Sequence, residues 1–463
     1  MKKTIKQFES FLKEAKQEKK YKILVISSEP KDSKMFHTAE RFAEEGKAAG
    51  HKVYIVKVES AYIRFEDGAY YVHNVGDDKG FEISASDTVA FVRGSVRLKK
   101  SWLDILSQLE KIGICMVNTR ETVELTSDKY RTYLKLMDFG LTQPKTVLIP
   151  NKDGVEEAVK TLDTEFPIIM KTLEGSKGIG VLFVESERSL TSLVQLLFAQ
   201  DEDTDLLIQE FKKTEYDVRV IVLGGKVLAS MERGVVKGDF RSNVSQGAEV
   251  KEFNLTELEI EQSLLAAKAV DGAWVAVDFI PSENREKEPP YILEVNHSPG
   301  TDGIEKASGM NIVKLVIEYY ADPDNRYSVP TQCGYYEMLD VKPFGPLVAK
   351  FDTGNSVHNV LHAEDIKVLG KKISFTLNGK RISTRLQGSY TSITGGGEDE
   401  RYIVKLDCNF GGSDYKDIVF GLDDRSRMGT EILLDRDLMT TLNVVVNPNR
   451  KWVLTTKFKP KED

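Results

Sequence analysis

Three stretches of the chain carry residue types that could do chemistry. In PIIMKTLEGSKGIGVLFVE an apolar run delivers Lys171 into a loop holding Gly175, Ser176, Lys177, Gly178 and Gly180, and a second apolar run returns. Glycines let backbone N–H groups converge on an anion, and Lys171 and Lys177 add positive charge, which suits phosphate. No Gly-Lys-Ser/Thr opens a helix here, and a strand follows the loop, so neither a Walker A loop nor a dinucleotide fingerprint fits. An ordinary glycine-rich hairpin is the competing reading. Further on, AVDFI places Asp278 at a strand centre and YILEVNHSPG places Glu294 and Asn296 two apart. Residues i and i+2 of a strand face the same way. Two carboxylates and an amide oxygen on one side are hard ligands suited to Mg²⁺ bridging phosphates, and surface charges on an edge strand are the alternative.

The third stretch is VAKFDTGNSVHNVLHAEDI, in which Asp352-Thr353-Gly354 follows an apolar run. A β-turn is the commonplace explanation of such a triplet. Aspartic peptidases also use it, holding one Asp near a second so that the pair shares one proton and activates a water. His358 and His362 stand four apart, as zinc-binding histidines do on a helix, but Asn359 occupies the place of the glutamate general base. Packing and solvent roles for the two histidines are therefore favoured.

The elements that must position these residues follow from periodicity. KILVISS, HKVYIVKV, TVAFVRG and ICMVN read as buried strands, alternating with helices over 33–49 and in SWLDILSQLEKIG, so a parallel α/β layer is predicted from Tyr21 to Asn118. A helix is predicted over 127–139, with Ser127 as its N-cap and Asp128 in its first turn. The region after it mixes strand runs with helices, and Leu223-Gly224-Gly225-Lys226 signals an antiparallel hairpin. That pattern is α+β rather than doubly wound, and it closes with a helix near 311–320. ADPDNRYSVP reads as a linker. From Thr331 on, short β runs (PLVAKF, KISFTLNGK, YIVKLDCNF, DIVFGL, LNVVVN, KWVLTTKF) alternate with glycine turns, and one helix is predicted near 435–442.

Length and charge bound the answer. The 463 residues suggest about three structural units at roughly 150 residues each. With 64 Lys and Arg against 72 Asp and Glu the net charge is −8, which argues against broad nucleic-acid or anionic-membrane binding but not against a local phosphate site. No apolar run is long enough for a membrane span. The opening residues lack the apolar stretch of a signal peptide; Ile5, Phe8, Phe11 and Leu12 instead suggest a short amphipathic helix. Three scattered cysteines, Cys115, Cys333 and Cys408, suit a reducing cytoplasm.

Taken together, SDKYRTYLKLMDFGLTQPKT, KTLEGSKGIGV, IQEFKKTEYDVRV, ERGVVKGDFRSN, VDF and LEVNHSPGTDGIEKASG resemble, in order, the ATP-grasp superfamily and specifically the RimK-type glutamate ligases. The resemblance implies an ADP-forming ligase that uses ATP and Mg²⁺, with Mn²⁺ as an alternative metal, to join glutamate to a carboxylate acceptor, often a protein C-terminus. It implies that Lys129 and Lys171 contact phosphates and that Gln209, Glu210 and Phe211 line the adenine. Asp217 and Arg219 would stand near nucleotide and substrate. Arg241 would neutralise the acyl phosphate, Ser242 and Asn243 would shape the acceptor site, and Asp278, Glu294 and Asn296 would hold the metal.

The last 130 or so residues, through KFDTGNSVHNVLHA, RSRMGTEILLDRDLM and VVVNPNRKWVL, resemble the RimB-like, retropepsin-like domains. Asp352 would be the catalytic Asp, and GSYTSITGGGEDERYI would form a flap. Two departures stand out. Asp435 replaces the usual glycine, and a single Asp-Thr-Gly requires a second subunit for a dyad, which predicts a homo-oligomer, at least a dimer, through this domain. A non-catalytic acceptor-binding or dimerisation module is the alternative. The expected organisation is a helical extension over 1–20, a pre-ATP-grasp α/β domain over 21–126, an α+β ATP-grasp domain over 127–322, a linker and domain entry over 323–340 and a mostly-β retropepsin-like domain over 341–463.

Overall fold

Short apolar runs alternating with amphipathic helices build a parallel layer first. The computed structural model of the chain describes residues 20–27, 36–94, 100–173, 180–201, 204–235, 249–394 and 397–455. The predicted helix over 1–20 lies outside these residues apart from Lys20. The chain divides into two units, 1–328 and 329–463.

In the first unit, β1 (Lys22–Ser27), α1 (Phe36–Ala48), β2 (Lys52–Lys57), β3 (Ala61–Glu66), β4 (Ala69–Asn74), β5 (Phe81–Ile83), β6 (Thr88–Arg93), α2 (Lys100–Ile112) and β7 (Cys115–Val117) follow in order. Strands β2-β1-β6-β7 form a parallel sheet. Both faces of β1 and β6 are covered, which is why their sequences are continuously apolar rather than alternating. Phe42, Phe91 and Trp274 pack on one side; Trp102, Leu106 and Leu109 belong to the core of the other. Strands β3, β4 and β5 pair into a small antiparallel sheet that the strand reading did not include. Its exposed Tyr62 and Phe65 blur the pattern that would have marked it.

Two helices abut next, α3 (Arg120–Ser127) and α4 (Lys129–Asp138). Ser127 is not the N-cap that the sequence suggests: it ends α3, and its hydroxyl bonds back to Val123 O. Asp128 caps α4 instead, accepting from the N–H groups of Tyr130 and Arg131. A carboxylate there also faces the positive end of the helix, an advantage a serine lacks. Beyond, β8 (Thr146–Ile149), α5 (Val155–Leu162), β9 (Ile168–Thr172), β10 (Val181–Val184), α6 (Glu187–Gln200) and β11 (Leu206–Glu210) give an antiparallel sheet in the order β10-β9-β11-β8, its core shared with α5 and α6. A second sheet, β14-β13-β12-β15-β16, is built from β12 (Tyr216–Leu223), β13 (Lys226–Gly234), β14 (Val250–Glu252), β15 (Trp274–Ile280) and β16 (Tyr291–Asn296). Helix α7 (Glu257–Ala269) contributes Ala266, Ala267 and Ala269 to its core, and α8 (Asp302–Ser308) and α9 (Ile312–Ala321) follow.

The second unit contains β17 (Thr331–Gly334), β18 (Tyr336–Val341), β19 (Gly345–Phe351), β20 (Asn359–His362), β21 (Glu364–Leu369), β22 (Lys372–Leu377), β23 (Lys380–Arg385), β24 (Gly388–Thr394), β25 (Gly397–Phe410), β26 (Ser413–Asp423), β27 (Ile432–Leu434), α10 (Arg436–Thr441) and β28 (Val444–Asn447). Its main sheet runs β18-β19-β27-β20-β26-β25-β24, and an extra β18–β25 pairing closes it into a barrel with β24 outside the ring. The expected strand in KWVLTTKF does not form over 452–455. There the Glu337 carboxylate takes the N–H groups of Val453, Leu454 and Thr455 at 2.8, 3.1 and 3.0 Å. No helix among the described residues is long and apolar enough to cross a membrane.

Candidate functional site

Antiparallel pairing gathers the acidic residues. Asp278 on β15 stands opposite Glu294 on β16, and Ala276 opposite Asn296. On its other side Asp278 stands opposite Arg219 of β12. Directly paired residues share a face, so Arg219, Asp278 and Glu294 form one row across three strands. Arg219 grips Asp278 with two bonds, Nε to Oδ1 at 2.8 Å and Nη2 to Oδ2 at 2.7 Å. Arg233 of β13 donates to Asp278 Oδ2 at 2.9 Å and to both oxygens of Asp217 at 2.6 and 2.7 Å. Burial alone would raise the Asp278 carboxyl, but the charges and hydrogen bonds of Arg219 and Arg233 override it and hold the group well below the usual carboxylate range.

Arg233 was absent from the residues singled out in the sequence, and a bulge is the reason. Gly224 and Gly225, with φ of +54° and +71°, make the tight hairpin turn that pairs Leu223 with Lys226. Regular counting from that turn would set Asp217 opposite Glu232, two like charges. The register shifts between Ile221 and Val222, and Asp217 meets Arg233 instead.

Glu294 is accessible to solvent, yet protein atoms and charges crowd its carboxyl. Loss of hydration and the neighbouring Asp278 raise its pKa, against the opposing pull of Arg219, Lys129 and Lys171. All four charged groups thus act electrostatically on one carboxylate. Asn296 Oδ1 accepts from Ser298 N at 2.9 Å and keeps a lone pair. Such oxygens fit Mg²⁺. Asp278 is already held by two guanidinium groups, so Glu294 and Asn296 have the oxygen valence to spare. Among the described residues no three His, Cys, Asp or Glu side chains gather into a metal site, and Asn296 offers an amide oxygen in addition to the carboxylates.

The cations come from separate elements. Lys129, the first residue of α4, donates Nζ to Thr172 O at 3.2 Å and Leu173 O at 2.9 Å. Lys171 on β9 donates to Gln209 Oε1 at 2.7 Å. Burial pulls Lys171 down to about 8, Glu294 opposing and Lys129 reinforcing the shift. Strands β9 and β10 do pair as a hairpin. Gly180, at its return, has φ of +81°, and a Cβ there would stand 2.4 Å from Thr172 Oγ1. Gly175, Ser176, Lys177 and Gly178 lie outside the described residues, as do Arg241, Ser242 and Asn243. On β11 the Gln209 amide is spent on Lys171 and on Thr146 Oγ1 at 2.8 Å. Glu210 accepts from Lys212 Nζ at 2.7 Å, and Phe211 sets its ring edge-on to Phe183.

In the second unit Asp352 directly follows β19 and is partly exposed. Its Oδ1 accepts from Gly354 N at 3.0 Å, and its own N–H donates to Leu434 O at 3.2 Å. Asp435 has φ of −91° and caps α10 by accepting from Leu438 N, so this turn does not need the glycine it lacks. His358 lies in a loop with its ring against Tyr390, and His362 lies on β20 accepting from Arg425 N at 2.9 Å. The two histidines therefore do not share a helix face. Two of the glycines at the expected flap tip, 395 and 396, lie outside the described residues.

Comparison with known proteins adds to this geometry. Residues 126–320 match the model of the RimK-like ATP-grasp domain. A probable alpha-L-glutamate ligase of Psychromonas ingrahamii is 30% identical over 301 residues, 64% of this chain and 94% of that protein. One of Coxiella burnetii is 31% identical over 312 residues, 66% of this chain and 98% of that protein. Among solved structures, D-alanyl-alanine synthetase A from Vibrio cholerae O1 superposes with a TM-score of 0.51 at 15% identity, over 66% of this chain and 98% of that one. The ATP-grasp ligase PsnB, complexed with a phosphomimetic variant of its minimal precursor, Mg and ADP, gives 0.50 at 17%, over 66% and 98%. At such identities the two structures speak for the fold alone.

Proposed function

The chain belongs to the RimK-like ATP-grasp ligases, and from that premise we propose that it joins glutamate to a carboxylate acceptor, a peptide or protein C-terminus, through an acyl phosphate. As an ADP-forming ATP-grasp ligase it uses ATP and Mg²⁺. The observation that carries the reading is the Arg219–Asp278–Glu294 row with Asn296 beside it, within electrostatic reach of Lys129 and Lys171.

A carboxylate is a poor electrophile because its charge is delocalised. An acceptor carboxylate oxygen attacks the γ-phosphorus of ATP and ADP departs, leaving an acyl phosphate. The amine of glutamate attacks the acyl carbon, the tetrahedral intermediate expels phosphate, and the amine proton is lost to solvent or a nearby base. Lys129 and Lys171 offset the charge on the phosphates, and Arg241 is assigned the acyl phosphate on the strength of the GDFRSN match. Glu294 and Asn296, with Asp278 behind them, would hold Mg²⁺, which supplies neutralisation of phosphate charge. Arg219 and Arg233 keep Asp278 ionised and fixed. Lysate incubated with the protein, ATP, Mg²⁺ and isotopically labelled glutamate, then read by mass spectrometry, tests this. Glutamate mass additions at one protein's C-terminus support it, and an unmodified proteome refutes it.

For the second unit we propose a retropepsin-like domain that trims the same modification, completing its dyad with Asp352 from a second copy. Support comes from Asp352 at a strand end, Asp435 opening α10 directly after β27, and the β24–β25 hairpin. The competing role is an acceptor-binding or dimerisation module. Asp352 touches no second carboxylate among the described residues of one chain, which keeps that role open. Asp352→Asn separates them: trimming of a modified acceptor at the parent rate would exclude the peptidase.

A further inference from the structure

Among the described residues two guanidinium groups are almost fully buried, Arg93 at 3% and Arg233 at 4% exposure. Their surroundings differ. Arg233 meets two carboxylates. Arg93 meets none among the described residues: its Nη2 donates to Pro299 O at 2.7 Å, and its Nε and Nη1 have no hydrogen-bond partner there. The guanidinium carbon lies 5.5 Å from the Phe42 ring centroid and 5.0 Å from that of Trp274. Those ring faces offset part of the lost hydration but accept none of its in-plane N–H groups. Burial lowers its pKa to about 9, so at neutral pH it remains charged. A lone buried cation with unmet donors is expensive. Holding the Pro299 carbonyl alone needs one neutral donor, such as a glutamine, and no charge.

The location indicates what would offset that charge. Arg93 ends β6 at the C-terminal edge of the parallel sheet, where α/β layers place ligands. The next residue, Gly94, donates its N–H to Ser298 Oγ at 3.0 Å, and its carbonyl accepts from His297 Nε2 at 2.8 Å. Ser298 N in turn donates to Asn296 Oδ1. Arg93 is thereby fastened to the run Asn-His-Ser-Pro that leaves the metal-type face. Among the described residues the other cations near that face are engaged: Arg219 with Asp278, Lys171 with Gln209, Lys129 with two carbonyls. Glutamate brings carboxylates that do not react and still need a counter-charge.

We propose that Arg93 is the subsite for a non-reacting carboxylate of the amino-acid substrate, its Nε and Nη1 donating to that carboxylate. This rests on the ligase reading for the identity of the ligand. The test uses the full chain with Mg²⁺, L-glutamate, and its two amides: glutamine, without the side-chain carboxylate, and isoglutamine, without the α-carboxylate. The glutamate-dependent rise in melting temperature is titrated in the parent, Arg93→Gln and Arg93→Lys, alongside the ATP-dependent rise as a control for folding. In Arg93→Gln the glutamate concentration at half-effect should increase on the order of tenfold or more, with the ATP response unchanged. The parent's preference for glutamate over one of the two amides should shrink. Should Arg93→Gln fail to fold, Arg93→Lys keeps the charge without the flat fork and should still raise the half-effect concentration. A half-effect within twofold of the parent in the folded variants overturns the proposal, as does a parent that responds to neither glutamate nor its amides. Phosphate release separates the two readings. Glutamate binding that depends on Arg93 without phosphate release sinks the ligase and keeps the subsite; release equally responsive to glutamate in Arg93→Gln does the reverse.

Discussion

Replacing Arg233 by Met probes a buried ion-pair network of the first unit. Arg233, Arg219, Asp217 and Asp278 form a neutral set, two cations with two carboxylates. Arg233 alone makes three charge-assisted hydrogen bonds, at 2.6, 2.7 and 2.9 Å. The substitution leaves both carboxylates to a single guanidinium, and breaking a buried pair from one side costs about 3–5 kcal/mol. The sign of the pH dependence follows. In the parent, Asp278 titrates below its unfolded value, so it stabilises the fold above about pH 4 and loses that contribution as pH falls through its native pKa. In Arg233→Met a buried carboxylate would titrate above its unfolded value instead, which destabilises most at neutral pH. The deficit should therefore be largest near pH 7 and shrink toward pH 4. Urea unfolding followed by tryptophan fluorescence in a Trp452→Phe background reports Trp102 and Trp274, both in the first unit. A loss below about 1 kcal/mol, the range of an exposed ion pair, or a deficit that grows on acidification, would refute the reasoning.

Other outcomes are expected. Glu337→Ala should destabilise the second unit by about 3 kcal/mol, because its carboxylate collects backbone N–H groups from Gly334 and from 453–455; Trp452 fluorescence in denaturant measures it. Gly180→Ala should weaken ATP binding on the order of tenfold, since a positive φ and a 2.4 Å contact with Thr172 both oppose a side chain next to the loop; titration with a fluorescent ATP analogue reads it. Lys171, at about 8, should take up a proton when ATP binds above pH 8, because phosphate favours the ammonium and reverses the effect of burial; calorimetry in buffers of different ionisation enthalpy detects that proton.

What the sequence made legible was local. The i, i+2 spacing of Glu294 and Asn296 and the apolar setting of Asp278 can be read from short windows, and the parallel layer follows from continuous apolar runs such as TVAFVR. Features that depend on register or on distant partners could not be read this way. The bulge at Ile221 decides that Asp217 meets Arg233 rather than Glu232. Ser127 and Asp128 are both good capping residues, and only the abutment of two helices assigns the cap to Asp128. KWVLTTKF has strand composition, but over 452–455 a buried glutamate more than a hundred residues earlier takes its N–H groups. Arg93 looked like a strand end, and its unmet donors appear only when the rings of Phe42 and Trp274 enclose it.

The most direct measurement is ADP release by the full chain with ATP, Mg²⁺, glutamate and a peptide ending in a free carboxylate, for the parent and Glu294→Gln. Glu294 is the carboxylate on which the charges of Asp278, Arg219, Lys129 and Lys171 all act, and removing its charge should lower turnover on the order of a hundredfold or more. The parent should release ADP only when glutamate and acceptor are both present, with matching peptide mass additions. Glutamate-independent release, or equal rates in parent and variant, would contradict the account.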